Sequence, residues 1–306
     1  MRVSKSDSRS ILVRAPAKVN LSLRVLRKRP DGYHDIDSLM FAVSLYDTIA
    51  MTASPARRAS VSCTVSGPER VPGGASNLAA RAAAAVLERL GAKARVAIRV
   101  RKEVPFGAGL GGGSSDAAAV VRCLPALLGR RLVPRDALDI ARALGADVPF
   151  FLTCRPARAT GIGDRLEPLG SVPKGTLVIA VSPDRVDTAW AYRSALGRLT
   201  SGQAAPRVRA FPRSIDAVEA WFFNDFQRGV EEAVGSVRRA RESLEGLGAR
   251  AAVLSGSGCA VVGFFGDARQ ARAAAVAYDG PGRVFVAKLI RAAPRPVSPP
   301  AAAKRR

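Results

Sequence analysis

The chain has 306 residues, 48% of them apolar, with 48 basic and 25 acidic side chains and a formal net charge of +23. That length suggests two domains. No apolar run reaches the roughly 18 residues a membrane helix needs, and MRVSKSDSRS lacks the apolar core and cleavage site of a secretory signal, so a cytoplasmic protein without a membrane partner is expected. The positive field attracts anions, but the basic residues are dispersed and aromatics make up only 6%, which argues for an arginine-rich solvated surface rather than a nucleic-acid module.

Residues 1–10 are polar and expected to be loose. Two short strands are expected within 11–25, joined through Ala15-Pro16-Ala17; the second, 19–23, alternates apolar and polar residues. Pro30-Asp31-Gly32 is a turn signal. Short strands are expected at 39–43, 48–51, 60–65 and 95–100, with an alanine-rich helix at 77–90 stopped by Gly91. A glycine run then leads into a helix at 114–128, and another helix covers 134–144. Beyond residue 151 we expect strands at 177–181, 251–254, 260–265 and 283–289, and helices at 188–199, 215–233, 236–247 and 268–278. Residues 200–213 read as a loop. This mixture without a regular βαβ rhythm favours an α+β fold. Cys63, Cys123, Cys154 and Cys259 form no CxxC pair, which argues against zinc and redox motifs; Cys123 and Cys259 sit in apolar surroundings, as buried thiols do.

The most informative segment is Pro105-Phe106-Gly107-Ala108-Gly109-Leu110-Gly111-Gly112-Gly113-Ser114-Ser115. Glycines permit positive φ and close backbone approach to a ligand, and a helix starting directly afterward aims free N–H groups at an anion. Ser114 and Ser115 suit a helix cap or a contact to a phosphate or its metal. No Lys-Ser/Thr pair follows, which excludes a Walker A loop. The GxGxxG count lacks the second parallel strand and acidic residue of a dinucleotide fold.

This loop resembles the central motif of the GHMP kinases, the group of galactokinase, homoserine kinase, mevalonate kinase and phosphomevalonate kinase. Ala15-Pro16-Ala17-Lys18-Val19-Asn20-Leu21 resembles the N-terminal motif of that family, and Leu254-Ser255-Gly256-Ser257-Gly258-Cys259-Ala260 its C-terminal glycine motif. The resemblance implies a two-domain fold with the active site in the cleft between the domains. It also implies an N-terminal ATP-binding domain over 11–165, a C-terminal domain over 166–293 and a disordered basic tail over 294–306. APAKVNLSLRVLRKRPDGYHDIDSLM, GLGGGSSDAA and LGADVPFFL are together similar to the branch that phosphorylates a cytidine diphosphate sugar alcohol.

The resemblance implies Asp147 as general base with Lys18 as its partner, ATP as donor, and Mg2+ carried mainly on the ATP phosphates without dedicated protein ligands. Asn77, Leu78 and Lys102 match the adenosine side, where their alternative readings are a helix cap, a core residue and a surface lysine. Tyr33 and His34 match the cytosine-recognition position, and Tyr192, four residues after Thr188, matches an aromatic that stacks on the base. Asn20 shares a strand face with Lys18 and is placed to bond the acceptor's hydroxyls. Gly256, Ser257 and Gly258 permit close approach to the acceptor's diphosphate or to the glycine loop itself. Asp116 suits either metal support or a helix cap. A monomer or a homodimer is expected.

Overall fold

The computed structural model describes residues 9–170, 172, 174–199 and 220–298. The chain opens with a long hairpin, β1 (Arg9–Lys28) and β2 (His34–Pro55). Each arm was expected as separate short strands starting after residue 10. The structure instead runs both continuously, with register shifts at Pro16/Ala17, Asn20/Ser22 and Val25/Arg27. A bulge lets a strand bend without ending and commonly re-aims side chains near a site; here two of the shifts flank Lys18 and Asn20.

Next come β3 (Ser60–Ser66), α1 (Leu78–Arg89), β4 (Ala94–Arg101), α2 (Gly112–Leu127), α3 (Pro134–Leu144) and α4 (Val148–Thr153). Asn77 caps α1 by accepting from the Ala79 N–H. The six-residue α4 was missed in the sequence, as were the short strands β5 (Ala157–Gly161) and β6 (Arg165–Pro168). The expected domain boundary at 165/166 falls inside β6.

The remaining elements are β7 (Thr176–Val181), α5 (Thr188–Leu199), β8 (Phe223–Asn224), α6 (Gln227–Ala233), α7 (Gly235–Gly246), β9 (Ala251–Leu254), β10 (Ala260–Phe265), α8 (Ala268–Ala277), β11 (Arg283–Ala287) and β12 (Leu289–Ile290). The loop expected at 200–213 lies outside the described residues. The helix expected at 215–233 is corrected: among the described residues it begins only at Gln227. Phe223 and Asn224 pair in parallel with Ser22 and Leu23 of β1 instead, a tertiary override of local helix propensity.

One sheet has the order β3-β4-β2-β1-β8, with β5 and β12 also pairing to β2; the other has the order β11-β7-β10-β9. The single strand expected at 283–289 is therefore two, one in each sheet. One core gathers α1, α2, Phe150 and Phe151 against β2, β4 and the first half of β1. The other gathers β7, β10, α7 and α8 against Ala17, Val19, Leu21, Leu23 and Val25. The middle of β1 is thus buried on both faces, and Lys18 and Asn20 lie where the two cores meet.

The basic tail was expected to be disordered from residue 294. Its described part is docked: Val297 exchanges two backbone hydrogen bonds of 2.8 Å with Leu12, and the Pro294 carbonyl accepts from Arg122. All four cysteines are buried free thiols.

Candidate active site

A cleft of about 920 Å3 opens at the junction of the two cores. Lys18 and Asn20 of β1 form its floor. Gly109, Gly111 and Ser114 line one side, and Tyr33, His34, Thr188 and Tyr192 the other. Asp147, Gly256 and Ser257 complete the wall between them.

The floor is a buried polar cluster. Lys18 Nζ donates to Asn20 Oδ1 at 2.6 Å and lies 3.8 Å from Asp147 Oδ2. Asn20 Nδ2 donates to Ser38 Oγ at 2.6 Å, and Ser38 in turn donates to the Ser22 carbonyl. The Asn20 backbone N–H is held by Ser255 Oγ at 3.0 Å. Each member is oriented by a neighbour, so the Lys18 ammonium is fixed before any ligand arrives.

Asp147 stands at the N-cap position of α4, yet its side chain makes no capping bond. Capping is the local alternative for an aspartate before such a turn, and the structure does not use it. The turn is anchored through Phe150 and Phe151, both buried, leaving the Asp147 carboxylate 36% exposed toward Lys18. The apolar VPFF run therefore serves to hold an open carboxylate at the cleft.

The glycine loop is anchored by its non-glycine residues. Ala108 and Leu110 are buried in the second core, and the Leu110 carbonyl accepts from the Lys18 N–H at 2.9 Å. Gly111 has φ +70°, and a Cβ there would lie 2.9 Å from the Phe151 ring and 3.1 Å from Lys18 Cγ. Gly111, not a serine, is the N-cap of α2, and neither Ser114 nor Ser115 makes a capping bond. Ser114 lines the cleft, whereas Ser115 is buried with its hydroxyl unpartnered. Gly112 and Gly113 lead α2, so its first N–H groups point at the loop. Pro105 is buried, and Phe106 and Gly107 are exposed at the loop's entrance.

On the other side, Tyr192 stacks on His34 with ring centroids 4.7 Å apart and meets Phe226 edge-on at 4.8 Å. His34 is held below the usual imidazole pKa by burial and by Lys28. Its Nε2 is enclosed without a hydrogen-bond partner, which is costly unless something else satisfies it. Burial, and secondarily the Asp147 charge, push the Tyr192 hydroxyl up to about 12. Tyr33 is 60% exposed at the rim. Ser257 Oγ meets Thr188 Oγ1 at 3.2 Å.

Lys102, Gly258 and Asn77 each carried two readings in the sequence, and the structure bears on all three. Lys102 does not open on the cleft; it is buried between Asp47 and Asp116. Gly258 faces the glycine loop rather than a ligand: a Cβ there would come within 2.6 Å of the Gly109 nitrogen. The Asn77 side chain is spent on its cap and on the Pro72 carbonyl, while Leu78 sits beside Gly113. Reading the sequence assigned no role to Asn224, whose side-chain nitrogen binds the Leu254 and Gly256 carbonyls while its oxygen accepts from Phe226. Nor did it assign any to Lys28 and Arg193, two cations lining the acceptor side. Asn224-Asp225-Phe226 was the available signal for the first; nothing local marked the others.

Residues 77–155 match the model of the GHMP kinases N-terminal domain, and residues 208–281 match the GHMP kinases C-terminal model. A 4-diphosphocytidyl-2-C-methyl-D-erythritol kinase of Syntrophotalea carbinolica is 41% identical over 85% of this chain and 91% of its own. The chain belongs to the GHMP kinase family. A second relative in that family, carrying the same enzyme name in Geobacter metallireducens, is 40% identical over 91% of this chain and 97% of its own. The crystal structure of a 4-(cytidine 5'-diphospho)-2C-methyl-D-erythritol kinase superposes with a TM-score of 0.72 at 36% identity, covering 91% of this chain and 98% of the other. A homoserine kinase from Cytophaga hutchinsonii, at 18% identity and a TM-score of 0.65, shares the GHMP kinase fold. Among the described residues, no helix is long and apolar enough to cross a membrane.

Proposed function

We propose that this GHMP kinase transfers the γ-phosphoryl group of ATP to the 2-hydroxyl of 4-diphosphocytidyl-2-C-methyl-D-erythritol, giving the 2-phosphate and ADP. This is a step of the methylerythritol phosphate route to isoprenoid precursors, and we assign the enzyme to the cytoplasm, where ATP is available to it. Relatives at about 40% identity over most of the chain carry that activity in their names. The observation that carries the reading for these residues is the uncapped Asp147 carboxylate, 3.8 Å from Lys18 between the glycine loop and the His34–Tyr192 wall.

Phosphoryl transfer needs positioning, charge stabilisation and a group to take the hydroxyl proton. Asp147 accepts that proton as the acceptor oxygen attacks the γ-phosphorus and ADP departs. The Lys18 ammonium, 3.8 Å from the carboxylate, stabilises negative charge developing on the oxygen. Asn20 orients Lys18 and offers its amide to the acceptor's hydroxyls. The loop from Pro105 to Ser114 holds the phosphates through backbone N–H groups at the start of α2, with Leu78 beside it. Magnesium would arrive on the nucleotide phosphates; Ser114 and Asp147 are the cleft oxygens that would meet it, and it would neutralise phosphate charge.

The unpartnered Nε2 of His34 supports hydrogen bonding to the cytosine edge. Tyr192 would pass the base one of its faces if His34 and the base shared the stack, with Tyr33 closing from the rim. Lys28, Arg193, Thr188 and the Gly256-Ser257 backbone suit the acceptor's diphosphate. The test is ADP release with and without the cytidyl acceptor. Release that depends on the acceptor supports the assignment; a folded sample with no acceptor-dependent release overturns it.

A further inference from the structure

Beneath the glycine loop lies a buried ionic cluster that the reaction above does not use. Lys102, at the end of β4, donates to Asp47 Oδ2 and, at 2.9 Å, to Asp116 Oδ2. The three side chains are 3%, 0% and 5% exposed. Asp47 also accepts the Glu103 and Val104 N–H groups at 2.7 and 2.9 Å, which pins the segment between β4 and the loop. Asp116 lies in the first turns of α2, just behind it. A Cβ on Gly112 would lie 3.0 Å from Lys102 Nζ and 3.2 Å from Asp47 Oδ2, so the first residue of α2 rests directly on the cluster.

A buried ion pair is weak evidence for stability, because desolvation offsets much of the Coulomb gain. Its better-attested use is to fix one arrangement among several. Here the arrangement fixed is the distance and register between the end of β4 and the start of α2, the two ends of the glycine loop. Burial works to lower the Lys102 pKa, but the two carboxyls more than offset it and leave it raised. Burial also pushes the Asp116 carboxyl up to about 8, against the pull of Lys102.

We propose that Lys102, Asp47 and Asp116 are positioning residues that hold the glycine loop in its phosphate-binding geometry, and that none of them touches the nucleotide. The inference rests on the reading of the loop as the phosphate site. Misplacing such a site by an ångström is enough to cost about 100-fold in rate, and only ligands carrying phosphates feel the displaced loop.

The test uses Lys102→Met combined with Asp116→Asn, which leaves Asp47 with its two backbone donors. Kd values for ATP and adenosine and the acceptor KM are measured on the full chain. ATP affinity is expected to fall by about tenfold or more, the equivalent of one lost hydrogen bond to a charged phosphate, with adenosine affinity and acceptor KM unchanged. Asp116→Asn alone, which still offers Lys102 an acceptor, is expected to lose less ATP affinity than Asp116→Leu. Equal losses for ATP and adenosine would make Lys102 a nucleoside contact and overturn the proposal. A lowered melting temperature with unchanged ATP affinity would reduce the cluster to a structural role and overturn it too. If the unaltered protein binds ATP no better than adenosine, the phosphate-loop reading itself fails, a result visible before any variant is made.

Discussion

The two walls of the cleft are built differently. The glycine-loop wall is held from every direction: Ala108 and Leu110 are sunk in the core, Gly109 and Gly258 are in backbone contact, and Phe151 and Lys18 leave no room at Gly111. The opposite wall hangs on few contacts. Tyr33 is largely exposed, and His34, Tyr192 and Phe226 hold one another mainly by ring packing. A rigid wall suits the donor phosphates, where geometry decides the rate. A wall of stacked rings with an unpaired Nε2 suits a base that completes it, and it is where one member of the family would differ from another.

The comparison turns on the groups between the walls, and Asp147→Asn should have the largest effect. Turnover is expected to fall by about 10³-fold, within the usual range for losing a general base. Because Asp147 makes no capping bond, its melting temperature should stay near that of the unaltered protein. Turnover close to the unaltered value in a folded Asp147→Asn sample would remove the carboxylate from the chemistry.

Gly111→Ala tests the rigid wall. The substitution forces an L-residue to φ +70° and drives a methyl into the Phe151 ring. Strain at such a φ and overpacking together should cost about 2–4 kcal/mol, read from denaturant unfolding, with a raised KM for ATP. Unchanged stability and ATP affinity would show that this wall yields more easily than its packing implies.

His34→Ala tests the other wall. It removes the unpaired Nε2 and half of the Tyr192 stack, so the acceptor KM should rise about tenfold, the equivalent of one lost hydrogen bond. The ATP KM should not move. A shift in ATP KM of equal size would mean that the two walls are not independent.

How legible each wall was in the sequence follows from the same contrast. The glycine loop with the helix behind it, and the shared strand face of Lys18 and Asn20, are local patterns that spacing can place, whereas the role of Lys18 came from motif likeness and the Asn77 cap stood only as one of two readings. Asp147 was found through motif likeness, but its freedom from capping could only be seen once Phe150 and Phe151 were in place. The burial of Lys102 was not legible because its partner Asp47 lies 55 residues away, and a lysine ahead of a glycine loop looks locally like a surface group. The strand at Phe223–Asn224 was read as helix because its two residues are set by Ser22 and Leu23, some 200 positions earlier. The His34–Tyr192 stack joins a hairpin turn to a helix across the cleft, a contact that no local period encodes.

The smallest expected effect is a difference in acid sensitivity, and its sign follows from burial. His34 is the protein's one histidine, and in the folded chain its pKa lies below 6.5, lowered by desolvation and by Lys28. The unfolded chain therefore binds the proton more readily, so stability contributed by neutral His34 is present above about pH 6.5 and is lost as pH falls below it. Asp116 and Asp225 act the other way. Burial raises both of their pKa values, so the folded chain holds their protons more tightly and gains stability as pH falls. A single pH–stability curve would mix these opposing effects. The difference between the unaltered protein and His34→Gln isolates the imidazole, because both carboxyls are common to the two. Thermal melts of the pair from pH 7.5 down to pH 5 should diverge, with the unaltered protein losing more on acidification; parallel curves would mean that His34 is solvated well enough to titrate as it does in the unfolded chain, and its wall of the cleft would be more open than its enclosed Nε2 indicates.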